Sequence, residues 1–212
     1  MGTRSRITSV GAVFLALSAS LLGGCSGPLE STGGGSSGGQ SVVTPPETSG
    51  RDDTNEGFPS CDEVKAVLGT VVEELVELEG SENGVATGAE GPELGCAWHT
   101  TETADGSTDL AEYGGISIGI SRDPEYTEEA MAPLGWNVED ARVSAVDAWA
   151  VKVGGQYDPA AQLDVTGVQV VRDGVVVVLT SGGVALQDVP QLAPLTNEWA
   201  LGAGVAILET MD

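Results

Sequence analysis

Residues 165–172 and 175–181 are two β-prone runs separated by Asp173-Gly174, and they limit the fold more than any other stretch. Asp-Gly supplies the two positive-φ positions of the tight turn whose twist matches that of paired strands, so an antiparallel hairpin is predicted. The second run holds Val175-Val176-Val177-Val178-Leu179, apolar at every position. A strand apolar on both faces belongs in the middle of a sheet, with cover on each side. A chain with such a hairpin must build a sheet around it and then find material to cover that sheet.

The rest of the C-terminal three quarters supplies both. Val64, Val67, Leu68, Val71, Val72, Leu75 and Leu78 recur at spacings of three and four, a helical stripe. Ser60 or Asp62 is placed to cap its start. Gly69 interrupts the stripe at about 1 kcal/mol and leaves two ends open for the helix, Leu68 or Glu79. Residues 80–93 read as loop, 94–101 as a strand containing Cys96 and Trp98, and the stretch through Glu112 as polar loop. In residues 114–121, Ile116, Ile118 and Ile120 alternate with Ser117, Gly119 and Ser121, the pattern of a half-buried strand. Asp123-Pro124 predicts a helix start, with acidic side chains near its positive end and a finish near Leu134. Residues 143–153 read as strand. Residues 196–210 read as a closing helix with Trp199, Leu201, Val205 and Leu208 inward, although Gly202 and Gly204 weaken it. The order α-β-β-α-β-β-β-α predicts an α+β domain over residues 60–212, with helices packed on an antiparallel sheet.

The N-terminus is of another kind. Arg4 and Arg6 precede an uncharged apolar run from Val10 to Leu22, shorter than the roughly 20 residues a membrane span needs. Leu22-Gly23-Gly24-Cys25 follows and resembles the bacterial lipobox. That resemblance implies that residues 1–24 are a signal peptide and that Cys25 becomes a lipidated N-terminus on the extracytoplasmic face of the cell membrane. An ordinary secretory signal with an incidental cysteine is the plainer alternative. Two or more acyl chains anchor stably where one holds only marginally. Residues 25–59, with Gly33-Gly34-Gly35-Ser36-Ser37-Gly38-Gly39 among them, have no apolar periodicity. They read as a flexible tether with a reach of roughly 30 Å.

The chain carries 32 acidic and eight basic residues, a formal charge of −24. Loss of Arg4 and Arg6 with the leader leaves six basic residues and −26. Nucleic acid and anionic lipid surfaces both call for basic patches and are excluded as partners. With Cys25 lipidated, Cys61 and Cys96 remain as an even pair in an oxidising compartment. A bridge between them would close a loop of about 35 residues and contribute roughly 3.5 to 4 kcal/mol. A reactive thiol or a metal-ligand pair is the alternative. One histidine and no C-x-x-C spacing argue against it.

Cys61 opening a helix that reaches Val67-Leu68-Gly69, then Cys96-Ala97-Trp98, alternating strands and a last helix, resembles the domain of a group of actinobacterial lipoproteins. These join a lipobox and a Gly/Ser/Thr/Pro tether to an exported Cys…Cys-x-Trp domain of unassigned function. The resemblance implies the Cys61–Cys96 pairing and carries no catalytic residues. This chain departs from the group in its acidity and in Val146-Asp147-Ala148, where the group has a Gly-Asp element.

Several motifs bear on chemistry. Gly115-Ile116-Ser117-Ile118-Gly119 fits G-x-S-x-G, but the elbow chemistry needs a strand-to-helix turn and a later histidine. Ser117 lies inside an alternating run and the one histidine, His99, precedes it. Asp105-Gly106, Asp109 and Glu112 match the later positions of a calcium loop, yet Thr101 and Thr103 stand where its first carboxylates belong. Neighbouring acids such as Glu73/Glu74 and Glu128/Glu129 do not face one another on a helix. Trp98, Trp136, Trp149 and Trp199 are expected in the core rather than as a sugar-stacking platform. No catalytic residue, metal site or cofactor is therefore assigned. The expected function is a membrane-anchored, non-catalytic module binding an envelope protein or small ligand. A cell-envelope hydrolase with an unrecognised site and a structural wall spacer are the alternatives.

Overall fold

The computed structural model describes residues 57–88, 91–109, 111–183 and 186–211; the leader, Cys25 and the tether through residue 56 lie outside the described residues. Seven strands form one antiparallel sheet in the order β1-β2-β3-β7-β6-β5-β4. They are β1 Gly84–Gly88, β2 Gly91–His99, β3 Gly114–Arg122, β4 Asn137–Val138, β5 Trp149–Lys152, β6 Val168–Arg172 and β7 Val175–Gly183. The chain lays down β1 to β3, crosses to the opposite edge, and returns strand by strand until β7 pairs with β3. The α+β class and the antiparallel sheet are as the sequence predicts.

The Asp173-Gly174 turn has φ of 52° and 75°, both positive as a tight hairpin requires, and β7 is the fourth strand of seven. In register, Ile116, Ile118 and Ile120 of β3 stand beside Ser181, Leu179 and Val177 of β7 and beside Trp98, Cys96 and Leu94 of β2. These form the covered face. Over it lie helix α1 (Cys61–Leu68), short helix α2 (Thr70–Glu73) and the closing helix α6 (Asn197–Glu209). Leu201, Val205, Ile207 and Leu208 of α6 are buried. Gly204 lets α6 approach the sheet, since a Cβ there would stand 2.5 Å from Val170 Cγ2. Among the described residues the second face is covered over β5 to β7. There Tyr126 stacks on Trp149 at 5.4 Å and its hydroxyl donates to Gln169 Oε1 at 2.5 Å, while Val151, Val171 and Val176 are buried. Toward β2 and β3 that face carries Gly95 and Ser117, both exposed.

Two open alternatives are decided, the end and the cap of the first helix, and several other expectations are corrected. The helix from Cys61 ends at Leu68, because Gly69 takes φ 70°, and a separate turn of helix follows. Ser60, not Asp62, caps it, in a reciprocal capping box with Glu63. Residues 80–93 are not all loop: they contain β1 and the start of β2. Asp123 accepts hydrogen bonds from the N–H groups of Glu125 and Tyr126 in a local turn, and the helix α4 (Glu128–Met131) starts later, capped by Thr127. Residues 143–153 are not one strand. Residues 141–145 form helix α5 (Ala141–Ala145), capped by Asp140, then Asp147 takes φ 54°, and only Trp149–Lys152 is extended. Val165 is 75% exposed and precedes β6 rather than belonging to it. A further helical turn, α3 (Thr101–Ala104), interrupts the expected polar loop.

Candidate functional site

Cys61 begins α1 and Cys96 lies in β2 on the covered face. Their Cα atoms are 5.6 Å apart and the sulfurs are bonded, each residue 2% exposed. The bridge spans 35 residues and ties the helical layer to the sheet. Cys25, the expected lipidation site, lies outside the described residues. No helix among the described residues is long and apolar enough to cross a membrane.

Ser117 is in mid-strand, exposed, with Ala97 as its cross-strand partner; His99 pairs with Gly115 two positions on. The two side chains thus share a sheet face diagonally, yet no hydrogen bond joins them among the described residues. The imidazole lies against Gly115, where a Cβ would be 2.7 Å from His99 Cδ2. Among the described residues its Nδ1 is buried without a hydrogen-bond partner, and burial lowers the His99 pKa. An extended backbone at Ser117 lacks the sharp turn of a nucleophile elbow. In the Asp105–Glu112 region, Thr103 is buried and bonds Thr100 and Gly114, while Glu112 accepts from Ser107. Asp109 caps the N–H of Ala111. These groups serve the turn itself. Of the four tryptophans Trp98, 1% exposed, lies in the core and half-buried Trp199 packs against it, while Trp136 and Trp149 are half-buried outside the main cluster, correcting the expectation that all four are core aromatics.

The cations are more telling. Five lie among the described residues, and each is engaged within the domain. Lys65 Nζ donates to the Leu75 carbonyl at 2.6 Å. Arg122 stands 5.4 Å over the Phe58 ring and reaches the Gly57 carbonyl. Arg142 grips Asp140 with Nε at 3.0 Å and Nη2 at 2.8 Å, which holds the Asp140 carboxyl below its ordinary pKa. Lys152, 6% exposed, donates to Asp164 Oδ1 at 2.9 Å and Thr166 Oγ1 at 2.5 Å. Arg172 donates to the Leu208 carbonyl at 2.7 Å. All five described cations thus bond within the domain, and only Asp140 and Asp164 among the described carboxylates form ion pairs with them.

Open grooves mark the surface of the described residues, and two of them border acidic or aromatic side chains. One, about 460 Å³, runs between α1 and α6, floored by Gly202, Ala203 and Ala206 and walled by Val67, Trp199 and Arg142. The other, about 480 Å³, is lined by Glu128, Glu139, Asp140, Ser144 and Trp149. Among the described residues no three metal-ligating side chains gather.

Sequence reasoning missed Asn83, which sits outside any strand yet behaves as a piece of one. Its side chain accepts from the Ala97 N–H at 2.9 Å and donates to the Ala97 carbonyl at 3.2 Å. It fills the gap along β2 between β1 and Val76, which exchanges two backbone bonds with His99. An Asn-Gly pair ahead of a β-prone run was the available signal. A scan of protein-family models and searches of curated proteins and of solved structures found no match to the chain.

Proposed function

We propose that the protein is a cell-envelope lipoprotein. Its leader is removed, Cys25 carries acyl chains in the membrane, and the segment from Cys25 to residue 56 tethers the α+β domain on the extracytoplasmic face, the domain beginning by Phe58, which is buried in its core. There the domain acts as a non-catalytic binding module for an envelope component, in the manner of the actinobacterial lipoproteins it resembles. The observation that carries this reading is the Cys61–Cys96 bridge. A buried disulfide belongs to an oxidising compartment, and it leaves Cys25 as the one cysteine for another role. The five described cations each bond within the domain, and the absence of a basic patch among the described residues supports a partner that is not an anionic polymer.

The test is mass spectrometry of the protein from membrane fractions. The expected mature N-terminal peptide starts at Cys25 with a diacylglyceryl-modified sulfur, and Cys25→Ser moves the protein out of the membrane fraction. An unmodified thiol at Cys25, with Cys61 and Cys96 reduced, overturns the reading. Turnover of envelope glycans or esters by the purified protein, lost on Ser117→Ala or on one carboxylate change, overturns its non-catalytic part.

A further inference from the structure

The two edges of the sheet are built differently. β4 is two residues long, too short to template another strand. β1, at the other edge, is five residues, Gly-Val-Ala-Thr-Gly, with Val85, Ala86 and Thr87 exposed and Val85 at 42%. It pairs with β2 through all five positions, Gly84↔Gly95 to Gly88↔Gly91. In an antiparallel pair alternate residues turn their N–H and C=O groups away from the partner. Among the described residues nothing bonds those outward groups. Folded proteins ordinarily blunt such an edge with lysine, proline or a bulge. β1 has no charge and no proline, and its register with β2 is unbroken.

We infer that β1 is a docking edge for an extended, lysine- or arginine-bearing segment of another protein, which adds an eighth strand to the sheet. The main chain supplies the affinity in this mode of recognition, and charge selects the occupant. Between Asp62 and Glu93 the sequence carries nine carboxylates and a single cation, Lys65, whose ammonium is held by the Leu75 carbonyl. The Glu93 side chain sets its carboxylate against Gly88 of β1, where a Cβ would stand 2.9 Å from Glu93 Cδ. A second copy of this chain would bring that carboxylate and the same net charge of −24 against itself, and like charges facing across an interface oppose pairing. A basic segment meets the opposite situation. The inference rests on the domain being a binding module and names the class of its partner.

The probe is a fluorescein-labelled peptide with a Thr-Val-Thr-Val-Thr core and a Lys-Lys pair at each end, titrated into the full-length protein and read by anisotropy and by amide hydrogen exchange. Two controls carry the same core between Glu-Glu pairs, or lysine ends with both valines replaced by proline. The expected result is binding of the lysine-flanked peptide with slowed exchange at alternate amides of β1, and about tenfold weaker binding of both controls. Val85→Lys and Thr87→Lys each weaken binding by about tenfold, with unchanged unfolding temperature, because both blunt an exposed edge. Equal binding of the proline peptide means that charge alone acts, and overturns the inference. So does concentration-dependent dimerisation that protects the same amides, which assigns the edge to a second copy. So does slow exchange of those amides in the unliganded monomer, which assigns it to the chain's own N-terminal segment. If the edge fails while Cys25 is lipidated and a cross-linked partner maps elsewhere on the domain, the lipoprotein reading stands without it.

Discussion

Lys152 is the charged side chain most deeply placed in the domain, and the loop after β5 is shaped to meet it. Asp164 Oδ1 accepts from Lys152 Nζ, from Thr166 Oγ1 and from the Thr166 and Gly167 N–H groups. Partial burial works to raise the Asp164 pKa, but the hydrogen bonds from Thr166 and Lys152 outweigh it and hold the carboxyl at about 2. A depressed carboxyl pKa stabilises the fold above the unfolded value of about 3.9, and that contribution is lost as pH falls toward 2. Asp164→Asn is therefore expected to destabilise at pH 6 by about 1–3 kcal/mol, under the loss at a fully buried pair because the Asp164 side chain is 54% exposed. Lys152→Met, which keeps the stem and leaves no orphaned buried charge, is expected to cost less. Urea unfolding of the three proteins at pH 6 and pH 2.5 checks both statements: the gap between Asp164→Asn and the parent should narrow at the lower pH. None of this was legible in the sequence. The two residues are 12 apart, and the turn between them has no periodicity. Ile116, Ile118 and Ile120 were legible because strand alternation alone decides which side chains are buried.

At the scale of elements, patterns longer than a turn were legible and shorter ones were not. The Asp-Gly hairpin and the closing helix stand where expected; β1, β4, α3 and α5 hold five residues or fewer, too few for a period to emerge. In residues 143–153 Val143, Val146 and Val151 imitate a strand. The competing signal was Asp140, whose carboxylate caps the Arg142 N–H and turns the first part into helix. The two glycines of α6 show how packing can reverse a propensity. At Gly202 an added Cβ meets only Arg142 Nη1 at 3.3 Å, the movable end of a long side chain. Gly202→Ala is expected to stabilise by up to about 1 kcal/mol, the helix preference of alanine over glycine. At Gly204 the same Cβ lies 2.5 Å from Val170 Cγ2 and 3.3 Å from Leu179 Cδ1. Gly204→Ala is expected to destabilise by about 1–3 kcal/mol, since overpacking outweighs propensity. Thermal unfolding should move the two variants in opposite directions; a rise for both would mean that α6 sits more loosely on β6 and β7 than the contact at Val170 requires.

For the whole molecule, net charge was legible from composition, but its arrangement was not. What composition could not convey is that the described cations all bond inside the domain, so that attraction is used up locally and repulsion is left over the surface. Two ion pairs are present among the described residues, Arg142–Asp140 and Lys152–Asp164, and the ammonium of the second is shielded by the fold. Added salt should therefore screen far more repulsion than attraction. The Debye length is about 30 Å at 0.01 M salt, comparable with a domain diameter, and falls to about 8 Å at 0.15 M. Over that range repulsion between distant carboxylates fades while the hydrogen-bonded pairs, near 3 Å, are screened much less. The urea midpoint is expected to rise steadily with NaCl from 0.01 to 0.5 M. Urea is the denaturant to use, because guanidinium chloride is itself a salt and would mask the effect. MgCl₂ at matched ionic strength separates screening from ligation: equal midpoints mean screening alone, and a higher midpoint with magnesium means that some carboxylates share an ion. A midpoint that falls as NaCl rises would show that the two internal pairs contribute more than the surface repulsion takes away, and the acidic surface would then be no net burden on the fold.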